Sequence, residues 1–342
     1  MGRNPVEANG PWEGQCVPDM ENFTMSNAVA ATLGLHGHLR LPARDHMRVP
    51  ESALRSVGFV SEVIHTDANG GEELDHFATG FFVSVPSTIV PHMVYFYFVT
   101  AKHVVHHLAG HDIRLIVNKK GGGVKQFEGV GNTFWGHATD EAADVAVLPI
   151  YCQPDMDIVY VSINHFLTHE VIKANKRVGI GDEVFIAGLF TYAPGVDRVM
   201  PLIRHGNLAM IPEQQIQTDM GYADVYLIEA RSIGGISGSP VFVRPSILLA
   251  SEPMEGLPGG LIEPTLGTGG TEFLGLIHGH WDIRESELNN PKIAHTLHGV
   301  NLGVAIVTPA FKIAEVLNRP ELVAMREAAD RKYNESISPN MD

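Results

Sequence analysis

Cysteine is nearly absent: Cys16 and Cys152 are the only two in 342 residues. Two thiols are too few for the disulfide framework on which small secreted domains depend. Charge is also sparse, at 18% of the chain, yet acids outnumber bases by 39 to 24 and the formal net charge is −15. That balance argues against binding nucleic acid through a general basic surface. Long apolar runs are missing too, since nothing approaches the roughly 20 residues that a membrane helix needs. The opening residues, Met1 to Gly10, lack the apolar core of a secretory signal. Position 6 is Val where a myristoylation signal requires Ser or Thr. The expectation is a cytoplasmic protein with neither nucleic acid nor membrane as a partner.

What is present is ample apolar material, 44% of the residues, in a length that allows two domains. Residues 1–50 are mixed in texture and broken by prolines at 5, 12, 18, 42 and 50, with weak helical character from Met25 to Leu35. From Val57 the chain reads as short apolar runs separated by turn residues. The turns include Asp67-Ala68-Asn69-Gly70-Gly71, Pro86-Ser87-Thr88 and Lys119-Lys120-Gly121-Gly122-Gly123. Such spacing predicts an all-β sandwich or barrel. A boundary is expected within 151–175, and the β texture then resumes through Val307. A Pro-, Gly-, Glu- and Thr-rich stretch at 244–271 interrupts it and is expected to be a long surface loop. Pro309 opens a periodic segment with Phe311, Ile313, Val316 and Leu317, which predicts a terminal helix. Pro320 interrupts or restarts it, with further helix from Leu322 to Tyr333. The expected divisions are 1–50, 51–155, 156–308 and 309–342.

Three short motifs carry chemistry. In Gly235-Ile236-Ser237-Gly238-Ser239-Pro240, a serine stands between glycines and a strand, Val241-Phe242-Val243, leads away. Glycine permits positive φ and close backbone approach, so a hydroxyl and neighbouring amides are presented together. In Val99-Thr100-Ala101-Lys102-His103-Val104-Val105, the histidine follows the aromatic strand Met93–Phe98 and opens a short helical turn. In Ala143-Asp144-Val145-Ala146-Val147-Leu148-Pro149, a carboxylate opens an apolar strand. Burying it is costly unless a donor meets it, and a histidine N–H would be such a donor. Serine is a weak nucleophile that needs a base, histidine titrates near neutrality, and aspartate fixes the imidazole tautomer.

Thr-Ala-x-His, Asp-hydrophobic-Ala-hydrophobic and Gly-x-Ser-Gly-x-Pro, in that order, resemble the trypsin/chymotrypsin-like serine peptidases. The likeness is greatest to the bacterial branch of Deg-type proteases and glutamyl endopeptidases. It extends over roughly residues 55–318, with support from Gly80-Phe81-Phe82-Val83 and from Val178-Gly179-Ile180-Gly181-Asp182-Glu183-Val184. The order His, Asp, Ser separates it from subtilisins and α/β-hydrolases. The resemblance implies two antiparallel β-barrels of the chymotrypsin type followed by a C-terminal helix. The first barrel would bring His103 and Asp144, and the second Ser237. Ser237 is then the implied nucleophile, His103 the general base and Asp144 its orienter, with the amides of Gly235 and Ser237 as oxyanion hole. Arg231, six residues before Ser237, and His278 or His280 are implied pocket residues. The substrate is a protein or peptide, and no cofactor is implied.

Departures from the family pattern are informative. Val104 stands where secreted members often carry a cysteine, and Ser239 replaces a usual glycine. Ile236 replaces the aspartate that pairs with a liberated N-terminus in zymogens, so activation by that ion pair is excluded by residue type. His103, His106, His107 and His111 lie close together, but no His-Glu-x-x-His arrangement accompanies them, and no metal site is expected. The alternative reading is a catalytically silent scaffold of the same type that binds proteins.

Overall fold

Aromatic and β-branched residues dominate the runs that become strands, and several of them, such as Ala146–Ile150, are buried along their whole length. The computed structural model describes residues 49–128, 130, 135–175, 178–230, 235–245, 247–253, 260–266, 271–283 and 300–337. Pro50–Asp342 forms one compact unit, and every contact below lies within it. The expected extension up to residue 48, with its helical stretch Met25–Leu35, lies outside the described residues, as does Arg231.

A short helix, α1 (Glu51–Arg55), leads into an eight-stranded sheet. Its strands are β1 (Val57–Thr66), β2 (Glu72–Pro86), β3 (Val94–Thr100), β4 (Ile113–Asn118), β5 (Val124–Phe127), β6 (Gly136–His137), β7 (Ala146–Ile150) and β8 (Val161–Ser162). The hydrogen-bonded order is β5-β4-β1-β2-β3-β7-β6, and β8 adds to β2 in parallel. The first half of the molecule therefore reaches Ser162, beyond the expected division at 155. Phe59, Phe81, Phe82, Tyr95, Tyr97 and Phe98 are all almost wholly buried in this half. Each such side chain contributes about 1.5–3 kcal/mol through removal from water.

The second half is a closed antiparallel barrel. It is made by β9 (Glu183–Gly188), β10 (Leu202–Met210), β13 (Tyr226–Ala230), β14 (Pro240–Arg244), β17 (Glu272–Ile283) and β18 (Val300–Pro309). Closure satisfies backbone groups that an open edge would leave exposed. Ile186, Ile228, Val241, Val243, Leu274, Ile277 and Val307 fill its interior. Two hairpins decorate it: β11 (Ile216–Thr218) with β12 (Gly221–Ala223), and β15 (Ile247–Pro253) with β16 (Gly260–Leu266). The second hairpin occupies the stretch expected as a surface loop. Its two strands pair over seven rungs, from Ile247 with Leu266 to Pro253 with Gly260.

Helix α2 (Lys102–His107) follows β3, and α3 (His169–Asn175) lies between the halves in sequence. The C-terminus forms α4 (Ala310–Leu317) and α5 (Pro320–Ile337). Ala310, Ile313, Val316 and Leu317 bury one face of α4, and Pro320 restarts the helix at its first position. Among the described residues no helix is long and apolar enough to cross a membrane.

Candidate active site

Strand register brings His103 and Asp144 together. In the antiparallel pairing of β3 with β7, Thr100 lies opposite Ala146. The chain leaving β3 and the chain entering β7 thus meet at the same end of the sheet. His103 is three residues past Thr100, and Asp144 is two residues before Ala146. The Asp144 carboxylate is wholly buried and accepts twice from His103. Its Oδ1 takes the backbone N–H at 2.9 Å, and its Oδ2 faces the ring Nδ1 at 2.7 Å. Burial works against the charge of Asp144, but the hydrogen bond and charge of His103, the charge of His278 and the His103 amide hold its carboxyl below the usual range. Burial likewise pulls His103 down, and is outweighed by the bond to Asp144, the charge of Asp144 and the charge of Asp219, so its affinity for a proton is raised. That is the environment of an imidazole prepared to accept a proton.

Lys102 braces this corner. Its buried ammonium donates to the Glu141 carbonyl at 2.6 Å and to the Glu141 carboxylate at 3.1 Å. The turn before Asp144 is thereby tied to the helix that carries His103. Asp140 serves elsewhere: it caps the Ala142 amide and pairs with Lys312 of α4.

The serine turn is fastened to the same place from the barrel side. Pro240 of β14 pairs with Leu276 of β17, and Val241 pairs with Ile186 of β9. Gly238 N–H donates to the Ile277 carbonyl at 2.8 Å, and Ile277 N–H donates to the Ser239 carbonyl at 2.9 Å. Thr79, in the first sheet, grips the turn. Its N–H donates to the Ser237 carbonyl at 3.0 Å, its hydroxyl donates to the Gly235 carbonyl at 2.8 Å, and the same hydroxyl accepts from Leu189 N–H at 2.9 Å. The Thr79 carbonyl in turn accepts from the Thr100 hydroxyl at 2.7 Å.

Gly238 has φ +80°, and a Cβ there would lie 2.2 Å from the Thr79 carbonyl oxygen and 2.3 Å from Thr100 Oγ1. Glycine alone allows this approach, which sets the residue after Ser237 against the backbone two residues before His103. Gly235 also has positive φ, +96°. Its carbonyl and that of Ser237 are engaged, whereas neither amide N–H donates a hydrogen bond among the described residues. Two free N–H groups on a turn are suited to receive an oxyanion. The Ser237 hydroxyl makes no hydrogen bond among the described residues, so its link to His103 is not closed in this structure. Such links are often long before substrate binds. Ile236 is buried in the barrel core.

His278 and His280 part company on β17. His280 is exposed, while His278 is buried. The His278 ring is held between Asp144, 3.8 Å from Nδ1, and Asp219, 3.1 Å from Nε2. Sequence reasoning missed Thr79, Lys102 and Asp219, whose partners lie far away in the chain. Only Lys102 stood inside a motif.

No protein-family model matches the chain, and no curated protein matches it in sequence. In structure it is similar to the MamO protease domain of Magnetospirillum magneticum, at 16% identity and a TM-score of 0.43, covering 77% of this chain and 96% of that one. It is also similar to Deg5, at 14% identity and a TM-score of 0.41, over 77% of this chain and 88% of that one. A third is an inactive form of Rv3671c from M. tuberculosis H37Rv, at 16% identity and a TM-score of 0.38, over 78% and 88%. The role of each residue rests on the geometry of this chain itself.

Proposed function

We propose that the chain is a serine endopeptidase that cleaves peptide bonds through an acyl-enzyme on Ser237. The observation that carries this reading is the His103–Asp144 pair at 2.7 Å beside a serine turn whose Gly235 and Ser237 amides donate no hydrogen bond among the described residues. In the proposed reaction Ser237 Oγ attacks the carbonyl carbon of the scissile bond while His103 Nε2 takes the hydroxyl proton. Asp144 holds Nδ1–H and stabilises the imidazolium. The Gly235 and Ser237 amides receive the oxyanion. His103 then returns the proton to the leaving amine, and water repeats the sequence to release the acyl group. His103 has a side chain 41% exposed, which leaves a face open to a peptide.

A fluorophosphonate probe tests this directly. The expected result is labelling of intact protein at Ser237, abolished in Ser237→Ala and His103→Ala. The labelling rate should rise with pH through a midpoint above the ordinary histidine value, because His103 must be neutral to take the proton and its affinity for a proton is raised. One observation favours a second reading, a silent protein-binding scaffold: the Ser237 hydroxyl has no partner among the described residues. Labelling of Ser237 at a rate no faster than that of free serine would select it.

A further inference from the structure

A buried imidazole in an apolar strand requires a reason. On β17 the neighbours of His278 are Leu274, Leu276 and Ile277, all fully buried. The pairing of β17 with β18 slips between Ile277 and Gly279. A bulge of this kind re-aims a side chain, and here it lies at His278. The ring is 5% exposed. Its Nε2 meets Asp219 Oδ1 at 3.1 Å. Its Nδ1 is buried with no hydrogen-bond partner among the described residues and faces Asp144 Oδ2 at 3.8 Å. The His103 and His278 rings lie 6.1 Å apart, and both face the same carboxylate oxygen, Asp144 Oδ2. Tethering the β11–β12 turn is a weak reason to bury an imidazole, because Asp219 is 79% exposed and exposed ion pairs contribute little.

We propose that His278 and Asp219 form a second imidazole–carboxylate pair that backs the His103–Asp144 pair, with His278 as a positioning residue for Asp144. The four groups alternate in type as His103, Asp144, His278 and Asp219, and come from α2, the entry to β7, β17 and the β11–β12 turn respectively. Among the described residues no three potential ligands converge on a metal position. His278 packs its ring against the Asp144 oxygen that His103 Nδ1 engages, which restricts the space into which that carboxylate can turn. When His103 takes the serine proton, a positive charge appears, and the Asp219 carboxylate adds to the attraction that Asp144 supplies. The raised proton affinity of His103, to which Asp219 contributes, agrees with this. The β17 backbone that carries His278 also bonds the turn after Ser237, so one strand sets both carboxylate and nucleophile.

The proposal rests on the peptidase reading, and the test separates the two. His278→Leu removes both ring nitrogens, His278→Asn keeps a donor near the Nδ1 position, and Asp219→Asn removes the distal charge on an exposed turn. In the full-length protein, the His103 ring is titrated by NMR and the fluorophosphonate labelling rate is measured alongside. The expected result is a lower His103 midpoint in Asp219→Asn. Labelling and kcat should fall about tenfold or more in His278→Leu at nearly unchanged KM, with His278→Asn recovering part of the loss. A midpoint that stays in place in Asp219→Asn overturns the proposal, and that variant carries the test if His278→Leu fails to fold. Loss confined to peptides with an acidic residue before the scissile bond, expressed through KM, also overturns it and makes His278 a pocket residue. A shifted midpoint in a protein that no probe labels leaves the array standing and removes the peptidase reading.

Discussion

Three carboxylates lie within five residues before β7, and their surroundings give them different work. Asp140 pairs with Lys312, Glu141 with Lys102, and Asp144 with His103. Only Asp144 is wholly buried, and only it reaches an imidazole. Asp144→Asn should keep the fold and lower kcat by up to about 10⁴-fold, since asparagine favours the wrong histidine tautomer. Asp140→Asn should leave kcat within about twofold and cost no more than about 1 kcal/mol, as expected for a partly exposed pair. Steady-state kinetics with one peptide substrate decide it, and equal losses in the two variants would reassign the carboxylate. The distinction was legible in the sequence because Asp144 alone immediately precedes the alternating Val145–Leu148 run. Asp219 was not, since it lies 75 residues after Asp144 on a turn that only the hairpin β11–β12 brings near. His278 stood out as a histidine in an apolar strand. Its direction depends on a bulge, which no sequence period reveals.

At the scale of elements, the strands were readable where apolar runs alternate and the terminal helices where prolines punctuate them. The 244–271 stretch was not, because its turn-forming residues conceal a paired hairpin. The connection between sheet and barrel was equally hidden, although the site depends on it. Thr79 is the fastening: one hydroxyl serves the Gly235 carbonyl and the Leu189 amide while the Thr79 amide holds Ser237. Thr79→Val keeps the shape but strands two buried backbone groups, at about 1–3 kcal/mol each. The expected outcome is a lower urea midpoint together with slower acylation, because the serine turn loses its anchor. Thr79→Ser retains the hydroxyl and should restore most of both. If Thr79→Val lost stability but acylated at the wild-type rate, the turn would be held by its glycines and by β17 alone.

Across the whole molecule, α4 packs against β17, β18, β6 and β7, while α5 docks on Tyr95 and Tyr97 of β3. The all-β reading with a helical tail follows from composition and punctuation. The polar contacts that dock α5 on β3 do not, since they pair residues 229 to 235 positions apart. Tyr95 donates to Asp330 at 2.5 Å and to the Arg326 carbonyl at 2.9 Å. The Arg326 guanidinium donates to the Tyr97 hydroxyl and the Leu317 carbonyl, each at 2.8 Å, and lies against the Tyr97 ring. Burial raises the Tyr97 phenol against the pull of Arg326, so the hydroxyl stays neutral and accepts. Arg326→Met keeps the aliphatic packing of the stem but removes the donors, leaving buried acceptors at about 1–3 kcal/mol each. For a chain of this size each kcal/mol lowers Tm by about 2–4 °C. Tyr97 is three residues from Thr100, a distance of about 10 Å along a strand. Arg326→Met should therefore melt several degrees lower by calorimetry while the fluorophosphonate labelling rate, measured well below the transition, stays at the wild-type value. A fall in that rate matching the loss in stability would mean that the tail orders β3 through to His103, and that docking of α5 is part of the catalytic apparatus.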